Sequence, residues 1–245
     1  MADALPVRKE RDLGPTGRPP ADRSRAAGPR RRPLAWLVPL GWAVGLVPLA
    51  KLGLDGVLGH LGANPIAEGL NRLGFWTLTF LVLSLVPTPA HDLMGLSFPV
   101  RLRRTLGLLA FTYGALHFAW YLGVDKFFDL AEVATDVAKR KFITVGFVAL
   151  LVLVPLAVTS TDRSVRRLGY RRWKGLHRFV YLAVLLGVVH FLWRVKADHR
   201  RPALFAAAFA ALMLARLPAA LRARGRGGPL RRGAPEARGA GSPCR

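Results

Sequence analysis

Six histidines punctuate the chain: His60, His91, His117, His177, His190 and His199. Three of them, His117, His177 and His190, fall inside long apolar runs. An imidazole in lipid needs a partner, either a hydrogen bond to a neighbouring helix or a ligand. Two such rings at one depth on adjacent helices have a specific chemistry open to them. Their neutral nitrogens can clamp a haem iron from opposite faces. This requires an apolar slot for the porphyrin and polar groups at the rim for the propionates.

The elements that must position these rings are membrane helices. Apolar stretches at about 34–52, 73–90, 104–124, 142–159, 173–195 and 201–220 each approach the ~20 residues that cross a hydrocarbon core. Lipid leaves the backbone no water to bond, so each must be helical. The expected fold is an all-α integral membrane protein, a six-helix transmembrane bundle over 34–220. Basic tails at 1–33 and 221–245 lack hydrophobic period and read as disordered. No internal sequence repeat is visible.

Span three runs from Arg104 to Asp125, and span five runs the same way from Trp173 to Arg194. His117 lies eight residues from the end of one and His190 four from the end of the other. At ~1.5 Å per residue their depths agree within ~6 Å. Phe118, Phe191, Leu116 and Val189 flank the two rings as candidate slot walls. Lys126, Arg194 and Lys196 are candidate propionate partners. His177 stands thirteen residues before His190, which is ~20 Å along the axis and about 140° around it, so the pair cannot share one iron. The position on span three that a symmetric second pair needs holds Arg103, Arg104 and Thr105. Three alternatives follow: a second haem with an unusual partner such as His91, a different inner cofactor, or none. Arg103 and Arg104 suit an anionic group, a flavin phosphate or a propionate, and equally suit anchoring the helix.

Charge supports the membrane reading. The 245 residues carry a formal charge of +23 while 52% are hydrophobic. That pairing excludes a disordered basic chain and argues against a soluble enzyme. Of 37 Lys and Arg, 26 fall on one side of the span map, 10 on the other, and Arg178 lies within a span. The excess puts both termini in the cytoplasm. No aromatic-interleaved basic motif supports nucleic acid; orientation and attraction to the lipid bilayer account for the charge. Arg30–Arg31–Arg32 before an apolar run resembles a twin-arginine signal, but five more spans follow it. The single cysteine, Cys244, excludes internal disulfides, cysteine-held clusters and CxxCH haem attachment. Trp120, Tyr121 and Trp193 at one boundary, with Tyr170 and Trp173 at the other, form an interfacial belt. Tyr113 and Tyr181 lie deeper, where packing or electron transfer would use them.

Five stretches carry a family resemblance: GANPIAEGLNRLGFW (62–76), RRTLGLLAFTYGALHFAWYLGVD (103–125), KRKFITVGF (139–147), PLAVTS (155–160) and WKGLHRFVYLAVLLGVVHFLWRVK (173–196). Over roughly 50–220 the chain resembles the MsrQ (YedZ) family, within the ferric-reductase-like transmembrane group. Lys141–Phe142 stand where that family usually has Pro-Tyr. The resemblance implies haem iron ligation by His117, His190 and His177, with b-type haem and FMN as cofactors. It implies residence in the bacterial inner membrane. Electrons would come from the quinone pool or a cytoplasmic flavin reductase and go to a periplasmic molybdenum-containing methionine sulfoxide reductase, which holds the sulfoxide chemistry. No GxGxxG unit follows span six, so the donor is expected to be external. Two other readings remain: a stand-alone haem reductase of quinone or ferric iron, and a haem-free transporter or scaffold.

Overall fold

The computed structural model describes residues 36–95 and 98–217, and among these every regular element is helical. The expected tails at 1–33 and 221–245 lie outside the described residues. The elements are α1 (Leu37–Val57), α2 (Pro65–Leu83), α3 (Pro87–Met94), α4 (Phe98–Trp120), a π-helical turn (Tyr121–Asp125), α5 (Leu130–Lys139), α6 (Lys141–Val158), α7 (Asp162–Leu168), α8 (Tyr170–His177), α9 (Val180–Arg194) and α10 (Arg200–Leu214).

Among the described residues five helical runs are long and apolar enough to cross a membrane: Leu37–Val57, Pro65–Asp92, Leu102–Asp125, Lys141–Val158 and Tyr170–Arg194. The sixth expected span is represented by α10, whose 15 residues reach about 22 Å at the helical rise. The second run begins at Pro65, not at 73. Asn64 caps it by accepting from the Ala67 N–H, and Pro65 takes the first turn, where its missing N–H costs nothing. Arg72 is therefore within a helix and not in a loop. Its charge is met by Asp55, which is 7% exposed, and by Glu68 at 2.7 Å. Lys51 also reaches Asp55, at 3.0 Å.

The second run sits at the centre: half of its apolar stretch is buried, against 11–22% for the other four. Leu73, Leu78, Leu81 and Leu85 pack there against Leu109, Ala110, Tyr113, Ala183 and Val184. The outward faces are apolar too, with Val44, Val57, Leu151 and Phe179 exposed. This is the surface that lipid covers.

Two helix pairs dominate the packing, α2 with α4 and α6 with α9. Helix α1 is joined to them by the Asp55–Arg72 pair, by Leu52 in the core and by a buried hydroxyl. Tyr113 is 1% exposed; its Oη accepts from the Leu49 N–H at 3.0 Å and donates to the Gly45 carbonyl at 2.8 Å. An unbroken helix would join those two backbone groups directly. The splice lies beside Pro48, whose ring disturbs this turn. Tyr113 is thus a packing residue, consistent with one of the two uses its depth allows.

The π-helical turn after α4 leads into a tight loop where Phe127 and Phe128 adopt φ of 48° and 63°. Left-handed backbone at bulky residues costs about 1–3 kcal/mol each. What holds it is an ionic knot. Lys126 pairs with Glu132 and, at 3.0 Å, with Asp136; Arg140 and the Tyr121 hydroxyl also bond Asp136 at 3.0 Å. Burial pushes the Asp136 carboxyl up, but the bonds from Lys126 and Tyr121 outweigh this and hold it below the usual aspartate range. The same carboxylates hold the Lys126 ammonium above the usual lysine range.

Candidate functional site

His117 projects from α4 and His190 from α9, and their ring centroids are 6.2 Å apart with planes at 82°. Each ring is fixed from behind by the partner helix of its own pair. The Nδ1–H of His117 donates to the Leu70 carbonyl of α2 at 3.0 Å, and that of His190 to the Phe142 carbonyl of α6 at 2.6 Å. Donation at Nδ1 selects the tautomer with a free lone pair on Nε2. Among the described residues neither Nε2 makes a hydrogen bond.

The rings border a cavity of about 300 Å³, at the lower end of the range for cofactor sites. Its walls are Phe75, Leu78, Leu81, Phe118, Phe147, Leu150 and Leu153. Tyr121, Asp125, Arg140 and Arg194 stand among the lining residues as polar groups. Asn71 lines it as well, and its Oδ1 is buried without a partner among the described residues. The fit to a haem is direct. Two metal–nitrogen bonds of ~2 Å each plus the ring radii span about the observed separation. The walls are apolar, and Arg140 and Arg194 can bond carboxylates.

The structure brings His117 and His190 together, and the residues around them are only partly those the sequence suggests. Phe118 and Phe191 line the cavity as expected. Leu116 and Val189 do not: the residues before and after a histidine lie about 100° to either side of it, and here the cavity lies on the side of the residue after. Of the expected rim cations Arg194 lines the cavity, while Lys126, which bonds Glu132 and Asp136, and Lys196 do not. Arg140 is a second, unanticipated one; in the sequence it reads only as a loop charge.

His177 lies apart from this cavity. Its ring stacks on Trp173 with centroids 4.0 Å apart. Its Nδ1 bonds the Trp173 carbonyl one turn back at 3.1 Å, and Ser160 Oγ is 3.5 Å from Nε2. The three residues grouped with it do not converge on one another: His91 pairs with Asp92, Arg103 with Thr88 at 3.5 Å, and Arg104 with Asp162 at 3.0 Å. Among the described residues no three His, Cys, Asp or Glu side chains cluster as a metal site. In the sequence Arg216 reads only as a tail charge. It bonds the Leu85 carbonyl at 2.5 Å, its guanidinium lies 5.2 Å from the Tyr181 ring centroid, and its Nε and Nη1 are buried without a partner among the described residues.

Comparison with known proteins places this geometry in context. Residues 72–188 match the family described as ferric reductase like transmembrane component. The chain is 51% identical over 179 residues to the protein-methionine-sulfoxide reductase heme-binding subunit MsrQ of Rhodospirillum rubrum, spanning 73% of this chain and 86% of that one. The protein of the same name from Caulobacter vibrioides is 48% identical over 178 residues, 73% and 85% of the two chains. That from Brucella anthropi is 45% identical over 186 residues, 76% and 84%.

Proposed function

The chain belongs to the MsrQ heme-binding subunits, a group of ferric-reductase-like transmembrane proteins, and on that premise we propose that it is a b-type haem electron-transfer subunit of a methionine sulfoxide reductase system. The observation that carries the reading is the facing pair His117 and His190, each with Nδ1 committed to a carbonyl and Nε2 left for a metal. These two residues hold the haem iron. Arg140 and Arg194 hold the propionates, and Phe75, Phe118 and Phe147 exclude water from the slot. The haem supplies a one-electron change of iron oxidation state; the protein sets its distance from donor and acceptor and its potential.

Electrons enter at the His177 end. An inner site there for a second haem or for FMN, built from His177 with Arg103, Arg104 and His91, requires these side chains to exchange their present partners Thr88, Asp162 and Asp92 for the group. The donor is the quinone pool or a cytoplasmic flavin reductase. The acceptor is a periplasmic molybdopterin-dependent methionine sulfoxide reductase docking at the Arg194 end. In the bacterial inner membrane both termini are cytoplasmic and α10 belongs to a sixth span. The lysine and arginine bias supports that orientation.

The test is spectroscopic. Full-length protein purified after expression with ample haem should show a b-type Soret band and iron in the preparation. Absence of both sinks the reading in favour of a haem-free transporter or scaffold. With the periplasmic reductase present, reduced haem should reoxidise when a sulfoxide is added. Reoxidation by quinone or ferric iron alone, indifferent to the partner, would point to a stand-alone reductase.

A further inference from the structure

The two histidine mounts are built alike. In α2 the Leu70 carbonyl meets His117, and Gly74 follows one helical turn on; in α6 the Phe142 carbonyl meets His190, and Gly146 follows one turn on. The carbonyl-to-histidine separations are 47 and 48 residues. The α2–α4 and α6–α9 pairs are thus two copies of one device. Only the carbonyl, the glycine and the ring matter to it, so it leaves no recognisable sequence repeat.

The glycines are where the rings need room. A Cβ built on Gly146 would lie 2.6 Å from His190 Nδ1 and 2.8 Å from its Cε1. One on Gly74 would lie 3.2 Å from His117 Cε1 and 3.3 Å from its Nδ1. Gly107, on the same helix as His117, would meet nothing within 4 Å.

We propose that Gly74 and Gly146 are positioning residues for the two imidazoles: each admits a ring edge against helix backbone, so that Nδ1 donates to the carbonyl one turn away and the two ring planes stand nearly perpendicular. The inference rests on the reading that His117 and His190 hold a haem iron. Because the acceptors are main-chain carbonyls of packed helices, ring orientation is set by backbone and not by a side-chain rotamer. The hydrogen bond also raises the basicity of Nε2, which favours the ferric state of an iron bound there. Adding a methyl at Gly146 pushes the His190 ring off its carbonyl and turns its plane.

The experiment uses the full-length haem-loaded protein. In low-spin ferric haem with two imidazoles, the largest EPR g value rises as the ring planes go from parallel to perpendicular. The wild type should give the strongly anisotropic signal of perpendicular rings. Gly146→Ala should lower that g value and raise the midpoint potential, by up to tenfold in the reduced-to-oxidised ratio, ~59 mV for one electron. Gly74→Ala should move both in the same direction by less, since its clash is milder, and it decides the matter if Gly146→Ala does not assemble. Gly107→Ala should change neither. Haem-loaded Gly74→Ala and Gly146→Ala with wild-type g value and potential overturn the inference while leaving the haem reading intact, as does a parallel-ring signal in the wild type. A wild type that takes up no haem overturns the reading beneath it.

Discussion

His190 and His177 share one helical run, Tyr170–Arg194, and meet opposite surroundings. His190 turns away from its own helix. Its Nδ1 is held by a carbonyl of α6 and a second imidazole faces it across an apolar cavity. His177 turns back on its own helix. Its Nδ1 bonds the Trp173 carbonyl, and the indole covers its face at 4.0 Å. The first arrangement leaves an aimed lone pair between rigid walls. The second satisfies most of what a ring needs by local contacts, with Ser160 Oγ 3.5 Å from its Nε2. Equal residue type on one helix thus does not imply equal readiness to bind. What decides is whether the hydrogen bond at Nδ1 comes from a packed neighbour, which fixes direction, or from the same helix.

The largest test of this contrast removes the rings. His117→Ala or His190→Ala should abolish most haem binding, read as Soret absorbance per chain, because one axial imidazole is lost; retention of the wild-type band by either variant breaks the comparison. Next in size is Tyr113→Phe. It strips the hydroxyl bridging α1 to α4 and leaves the Leu49 N–H and Gly45 carbonyl unpaired, at about 1–3 kcal/mol of stability. A lowered melting temperature with an unchanged haem spectrum is expected, and a shifted spectrum would mean that α1 reaches the ring chamber.

A smaller effect concerns the loop knot. The lowered Asp136 pKa means that its carboxylate adds stability above the unfolded value of ~3.9 and that this is lost as pH falls through the folded value. The raised Lys126 pKa works at the other extreme: its contribution is present below ~10.4 and fades as pH climbs through the higher folded value. Proteolysis of the 126–140 segment should therefore speed up as pH falls below ~3.9, by less in Asp136→Asn, where the carboxylate is already gone. Equal acid sensitivity in both would assign it elsewhere. The smallest expected change is at His177→Ala, which should spare the haem between His117 and His190. Total haem loss there would show the two ends to be one site.

Five spans are legible in the sequence because lipid imposes length and apolarity on a local stretch of chain, and the common depth of His117 and His190 is legible because a helix converts residue number to depth. The start of α2 is not legible at Pro65 because Arg72 looks like a loop charge, and only the fold shows Asp55 and Glu68 neutralising it. Adjacency in sequence suggests Lys126 for the cavity rim, whereas the turn through Phe127 and Phe128 folds it onto Asp136.

By itself the sequence determined that this chain is a membrane helical bundle with two imidazoles at a common depth, since periodicity, hydropathy and rise per residue are local properties. Only the tertiary structure decided which carbonyls hold those rings, that Gly74 and Gly146 stand behind them, and that Arg140 joins Arg194 among the cavity's lining residues. Those facts depend on how helices rotate about their axes and which neighbour each one faces. Such rotation is set by packing between residues 47 or 48 apart and leaves no short-range trace in the chain.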